Sequence, residues 1–427
     1  MAEFASPGII ATERDFSATV QMLGTSTGGT VINSKWGFVD YEMAVKNEDE
    51  LVAQAGKPTD ANFRDWFVAS NFLKYTSSLR WVRVVDEETA FNAAIGGATP
   101  ALLIKNKNHL EVVKSGPTLA QNFAAKCPGA LGNSISIEIA DAATFTGWDY
   151  EDMFDTAPGT SGALPISTSP ALDEVHVVIV DKLGLFSGVM GSVLEIYPYL
   201  SKAKDAKDVN GASSYYINAL NARSEYVWGL APIGGTYVVT DAGNVFSAIG
   251  SKLSDNKVFI ALDDVYSEQL TGGADGGVPG KDEYIAAFSV LTAPQVTDIG
   301  LLFAGGCGND LNQPDVSNFV LTETSRRADM VGFVSPKFTD VVGALKSVVV
   351  QNIVATKEAL TTKNSFGVMT TGYKLQYDRY NDTNRWVPGN GDDAGLCART
   401  ENQQDVWISP AGFNRGHYID CLNLAFN

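Results

Sequence analysis

The chain has 427 residues, 45% hydrophobic and 19% charged, with 31 Lys and Arg against 49 Asp and Glu for a formal net charge of −18. That length exceeds one ordinary core and predicts two or three domains, and the composition excludes a chain too polar to fold. So acidic a field repels phosphate backbones, which argues against nucleic-acid binding, and no run reaches the roughly 20 apolar residues of a membrane helix.

Residues 1–23 read as an extended arm. The start, MAEFASPGIIATERD, has an early acid and no apolar core, so it is not read as a signal peptide. FSATVQML then alternates like a strand, but the GTSTGGT turn after it leads to no hairpin partner. Such a strand must pair with something distant, on its own domain or on another subunit. From residue 47 the pattern is helical. NEDELVAQAGKP has Asn47 as N-cap, acids in its first turn, and Gly56 and Pro58 as stops. TDANFRDWFVASNFLKY follows with Phe63, Trp66, Phe67, Phe72 and Leu73 as an apolar stripe, and LRWVRVVD is a strand.

Between about 95 and 235 the composition shifts. SISIEIA, EVHVVIVD, GLFSGVMGSVLEIY and EYVWG read as strands separated by Pro/Gly/Ser turns, a mainly antiparallel arrangement. After 235, helices (DEYIAAFSVL, DVSNFVLTETSRRA, KFTDVVGALKSVVVQNIVATKEAL) alternate with strands (DIGLLFAGG, ADMVGFVSP, SFGVMTTGYKLQYD). The short apolar runs VFIAL, IGLLFAG and MVGFV fit a sheet covered on both faces. The expected fold is α/β: a mostly parallel sheet flanked by helices, with an inserted β-rich, mainly antiparallel subdomain. The expected division is an arm at 1–23, a core at 24–94 and 236–395, the insert at 95–235, and from 396 to 427 a junction opening a further domain.

Three glycine-rich stretches invite chemistry. Gly24-Thr25-Ser26-Thr27-Gly28 matches the nucleophile elbow, yet the following TVINSKWG is β-like where a helix is required. Gly276-Gly277-Val278-Pro279-Gly280-Lys281 lacks the first glycine of a phosphate loop and puts Asp282 where Ser or Thr would bind magnesium. Ala304-Gly305-Gly306-Cys307-Gly308 follows a strand, but the dinucleotide fingerprint would then need glycine at Leu311. The acidic pairs Glu87-Glu88, Asp263-Asp264 and Asp392-Asp393 are adjacent, which on a strand aims them apart; Asp392-Asp393 reads as a helix cap. Cysteines 127, 307, 397 and 421 and histidines 109, 176 and 417 are scattered, so neither a disulfide framework nor a zinc site is readable, and a reducing compartment such as the cytoplasm is expected. His176, inside VHVVIV, is expected in the sheet rather than on a ligand. No catalytic, cofactor or metal site is expected.

The stretch from Tyr377 to Gly416, YDRYNDTNRWVPGNGDDAGLCARTENQQDVWISPAGFNRG, has neither the helical nor the strand apolar period. Its crowded aromatic, Arg, Asn, Asp and Gly residues predict a tightly determined irregular backbone, with Arg379, Arg385, Arg399 and Arg415 each hydrogen-bonded. YDRYNDTNRWVP, AGLCARTEN and SPAGFNRG, with the opening SPGI, Trp36-Gly37 and PGALGNSISIEI in the expected order, closely resemble the contractile-tail sheath proteins of T-even-type bacteriophages. The resemblance is dense in the last sixty residues and thin between about 95 and 235.

That resemblance implies a non-enzymatic virion protein, assembled in the host cytoplasm. Such proteins stack as hexameric rings around a tail tube and contract to drive it through the host envelope. The partners implied are the chain itself, the tail tube and the baseplate, with neither nucleic acid nor membrane. Residues carried over for assembly are Ser6, Pro7, Gly8, Ile9, Tyr377, Asp378, Arg385, Trp386, Pro388, Arg399, Trp407, Pro410, Gly412, Phe413, Asn414, Arg415 and Gly416. The sequence departs from the family in a short outer insert near residue 95 and in stopping at Asn427, where a further domain and arm are expected. The chain is either truncated or a short variant; if truncated, the fragment is expected to fold, stay largely monomeric and not contract, assembly being expected of the full-length protein. The alternatives are a non-enzymatic tube, baseplate or other virion binding module, and an α/β hydrolase or nucleotide-binding enzyme.

Overall fold

The computed structural model describes residues 26–96, 102–116, 121–161, 172–233, 259, 261–293 and 299–425. The expected arm, with Ser6, Pro7, Gly8 and Ile9, lies outside the described residues. The described chain enters on β1 (Gly28–Ile32) and continues through β2 (Glu42–Val45), α1 (Glu48–Ala55), α2 (Phe63–Leu73) and β3 (Leu79–Arg83). Short strands β4 (Ala90–Phe91) and β5 (Ala94–Ile95), helix α3 (Lys107–Ser115) and strand β6 (Phe123–Ala125) lead to three long strands. These are β7 (Ile135–Asp141), β8 (Glu174–Asp181) and β9 (Ser192–Ser201), followed by α4 (Tyr216–Arg223) and β10 (Val227–Gly229). Then come β11 (Tyr266–Gln269), β12 (Ala274–Asp275), α5 (Lys281–Leu291), β13 (Leu301–Phe303), α6 (Gln313–Arg327) and β14 (Val331–Val334). The last elements are α7 (Phe338–Val341), α8 (Lys346–Ala359), β15 (Gly367–Met369), β16 (Tyr373–Asp378), β17 (Thr383–Pro388), α9 (Asn390–Gln403) and β18 (Asn423–Leu424).

One six-stranded sheet, in the order β15-β14-β13-β1-β3-β2, is parallel throughout except for the antiparallel edge pair β2–β3. Its two faces separate by strict alternation along the strands. Val31 and Leu302 join Tyr284 and Phe288 of α5 and Val316 and Val320 of α6. Ile32, Leu301 and Phe303 instead join Trp66 and Phe72 of α2 and Ala394 and Ala398 of α9. Gly28 stands on the central strand because Phe72 lies against it: an added Cβ would sit 2.4 Å from the ring. A second, antiparallel sheet runs β11-β7-β8-β9, and a small antiparallel one runs β10-β6-β5. The molecule is thus mixed α/β, one mostly parallel sheet with helices plus several antiparallel sheets. The antiparallel sheet takes its edge strand β11 from beyond residue 235.

Four expected elements differ. The single helix expected from Lys337 to Leu360 is broken into α7 and α8, because Gly343 takes a φ of +81° and Leu345 is extended. The expected strand SFGVMTTGYKLQYD is two strands in different sheets, β15 on the parallel sheet and β16 in a hairpin with β17. GLFSGVMGSVLEIY is a turn before it becomes β9 at Ser192. VFIAL falls partly outside the described residues, and Phe259, Ala261 and Leu262 within it are not strand.

Candidate functional site

In open parallel sheets ligands bind at the carboxyl ends of the strands, so the Ala304–Gly308 turn after β13 is the first place to look. The crevice there is filled from within. Asp65, on α2, is buried with its carboxylate accepting from Gly306 N (2.8 Å) and from the Tyr284 hydroxyl (2.5 Å). Burial pushes its pKa up, against the pull of the Tyr284 and Gly306 hydrogen bonds. A carboxylate therefore holds the amide nest that a phosphate would need. Next to it Arg64 pairs with Asp310 at 3.0 Å, and Asp310 in turn accepts from Phe338 N and Thr339 N at the start of α7.

The other motifs resolve the same way. Gly277 donates to Thr89 Oγ1 at 2.9 Å beside the β4–β12 pair, and Lys281 forms an exposed pair with Asp315. In the elbow motif Gly24 and Thr25 lie outside the described residues, and Ser26 is buried. Glu87 pairs with Lys105. His176 is buried in β8: its ring stacks on Phe154 at 4.1 Å, Nε2 faces Thr156 O and Nδ1 accepts from Tyr199 N. Among the described residues no three His, Cys, Asp or Glu side chains group to hold a metal.

The Tyr377–Gly416 stretch is where the structure corrects the sequence. Up to Gln403 it is regular, a β16–β17 hairpin followed by the fourteen residues of α9. The apolar period is missing because α9 packs through small residues. A Cβ on Gly391 would lie 2.4 Å from Val68 O, so α9 and α2 touch nearly backbone to backbone there, and one on Gly395 would lie 2.4 Å from the ring of Tyr75, just beyond α2. Asp378 is buried at the hairpin turn and accepts from Tyr380 N (2.9 Å) and Asn381 Nδ2 (2.8 Å), with Arg385 Nε at 3.4 Å. Arg385 also pairs with Asp60 and lies over the Phe63 ring at 4.8 Å. Arg379 pairs with Glu48. Trp386 is half-buried beside Tyr373 and Val349, Pro388 is buried opposite Tyr373, and Tyr377 is exposed.

Beneath the hairpin lies a charged centre that the sequence did not show. Lys374 and Asp392, both fully buried, pair at 2.7 Å; Lys374 also donates to Ile419 O (2.9 Å), and the Tyr75 hydroxyl donates to Asp392 (2.9 Å). Burial pushes the Asp392 carboxyl up and the Lys374 amine down, each opposed by the partner's charge. The expected Asp392-Asp393 cap is not formed: α9 starts from Gly389 with no side-chain cap, Asp392 is an ion-pair partner, and Asp393 accepts from Thr370 and Tyr418. The partners of Asp392 stand on β16 and just beyond α2, and no local pattern signals them.

After α9 the chain turns outward. Arg399 stacks on Tyr75 (5.0 Å) and donates to Arg415 O; Arg415 Nε donates to Ser409 O (2.8 Å), and Gly416 N to Gly412 O (2.8 Å). Pro410 packs at a groove, while Trp407, Phe413 and Asn414 stand in solvent, Phe413 92% exposed and Trp407 75%. So Asp378, Arg385, Arg399 and Arg415 are built into the frame, and two large aromatic rings are presented beyond it.

No family model matches the chain. Individual relatives do. The chain is 27% identical to the tail sheath protein of Salmonella phage ViI, over 99% of this chain and 74% of that one. It is 29% identical to the tail sheath protein of Enterobacteria phage T4, over 98% and 76%, and 25% identical to that of Vibrio phage KVP40, over 98% and 77%. Among solved structures, a sheath tail protein from Desulfitobacterium hafniense aligns with a TM-score of 0.42 and 12% identity, over 92% of this chain and 62% of that one.

Proposed function

We propose that this chain, a relative of the phage tail sheath proteins along nearly its whole length and accordingly a virion tail component, is the structural subunit of a contractile sheath. It polymerises as stacked hexameric rings around the tail tube and contracts to drive that tube through the host envelope for genome ejection. Its partners are copies of itself, the tail tube and the baseplate. The observation that carries this reading is the likeness to three tail sheath proteins across 98% or more of the chain.

The geometry is of a piece with it. The ligand crevice of the parallel sheet is closed by Asp65, and Asp378, Arg385, Arg399 and Arg415 build a hydrogen-bonded frame beyond which Trp407 and Phe413 protrude. Such a subunit works by repacking interfaces between rigid bodies, with free energy stored in the assembly and no covalent chemistry. The test is to incubate the purified full-length protein with tail tubes and image by negative stain. A regular outer sleeve is expected. Tubes that stay bare, or carry the protein only at one end, would replace this reading with a baseplate or other tail binding module.

A further inference from the structure

The loop joining β8 to β9, KLGLFSGVMG at 182–191, is fixed more firmly than a solvent loop needs to be. The Asp181 carboxylate accepts from Leu185 N (3.0 Å), Phe186 N (2.9 Å), Ser187 N (2.8 Å), Ser187 Oγ (2.8 Å) and the Ser134 hydroxyl. Phe186 turns inward, edge-on to Trp36 at 4.9 Å and Tyr226 at 5.3 Å. Gly184, at φ +71°, is held so close to the returning limb that a Cβ would stand 2.8 Å from the Val189 and Met190 backbone. On this frame Leu183, Leu185, Val189 and Met190 face water, 43%, 54%, 64% and 72% exposed. A pre-organised loop that turns its apolar side chains outward is a contact surface.

The same chain carries a receptor of matching chemistry. A groove of about 860 Å³ between the β14–β15 edge and α9 is lined by Phe333, Val368, Met369, Leu396, Pro410 and Leu424, and a second of about 390 Å³ shares Phe333, Val368 and Pro410. The charged residues lining the two are acidic: Asp393 in the first, hydrogen-bonded by Thr370 and Tyr418, and in the second Asp329, paired with Arg327, together with Glu401 and Asp405. The loop, by contrast, carries the exposed Lys182, and its one acid neighbour, Asp181, is turned inward.

We propose that the 182–191 loop of one copy seats in the β14–β15/α9 groove of a second copy. This deepens the polymer reading above and rests on it. A knob and a receptor at different places on one surface join copies head to tail, and such a contact propagates into a ring or helix instead of closing a dimer.

Cys397 and Cys421 line the groove, which makes the contact readable by cross-linking. The Met190→Cys protein, incubated with tail tubes and a short bismaleimide, is expected to give chains of linked copies. Peptide mapping should join the introduced thiol to Cys397 or Cys421, and a Cys397→Ser, Cys421→Ser background should abolish the ladder. Adding Leu185→Asp should lower the linked yield at least tenfold with an unchanged circular dichroism spectrum and melting curve. Sleeves that form without these links, or links that persist without the two groove thiols, would overturn the contact and leave the sheath reading standing. The absence of both sleeves and links would overturn the two together. Links without sleeves would support the contact alone.

Discussion

At the Lys374–Asp392 pair two charges sit without water, so the outcome of a substitution depends on which charge is left behind. Lys374→Met strands a carboxylate whose remaining donor is the Tyr75 hydroxyl, and its expected cost is about 3–5 kcal/mol, read as a lowered denaturation midpoint. Removing both charges together, Lys374→Met with Asp392→Leu, should recover most of that loss, because the desolvation penalty goes with the pair. His176 gives the pH prediction. Burial holds its pKa below the ordinary value of about 6.5, opposed by the hydrogen bond to Thr156 O, and Nδ1 must stay unprotonated to accept from Tyr199 N. A depressed folded pKa means that the stability it contributes is complete above the unfolded value and is lost as pH falls through the folded one. Between pH 7 and 5, parent protein should therefore lose stability relative to a His176→Phe variant, as seen in paired urea titrations. Sequence pattern alone placed His176 in the sheet, through the apolar run VHVVIV. It was silent on Lys374, whose partners stand on other elements.

Elements were legible where they carried a period. The stripe on α2, the cap and stops of α1, and the short apolar strands β13 and β14 follow from spacing alone. Helix α9 escaped because its packing face is made of Gly391, Ala394, Gly395 and Ala398, and small residues leave no apolar stripe to count. That face makes a sharp prediction with the reverse of the usual sign. Gly→Ala in an ordinary helix stabilises by up to about 1 kcal/mol, through propensity. Gly391→Ala, 2.4 Å from Val68 O, and Gly395→Ala, 2.4 Å from the Tyr75 ring, should each destabilise by about 1–3 kcal/mol, because the added methyl has to push α9 off α2. Thermal melts of the two variants check it; a raised midpoint in either would mean that the helices do not approach so closely. The broken α7–α8 pair was lost for a related reason: the apolar pattern runs on through Gly343, and only the backbone reveals the turn there.

For the whole molecule the question is why a folded chain displays Trp407 and Phe413 at the end of so closely paired a frame. Neither ring packs into a core cluster, so neither helps this chain fold. Trp407→Ser and Phe413→Ser should each change the unfolding free energy by no more than about 0.5 kcal/mol, as substitutions away from packed features do. Their effect should instead fall on association. An aromatic anchor that is exposed in one copy and buried between copies is a typical hot spot, and truncating it costs about 2 kcal/mol or more of binding. On that reasoning each variant should melt like the parent yet fail to coat tail tubes at concentrations where the parent does. The indole of Trp407 should also shift its fluorescence to the blue when the parent assembles, since burial removes it from water. If both variants coat tubes as the parent does, the rings presented after α9 are not its contacts, and the interface has to be sought on the apolar loop and groove instead.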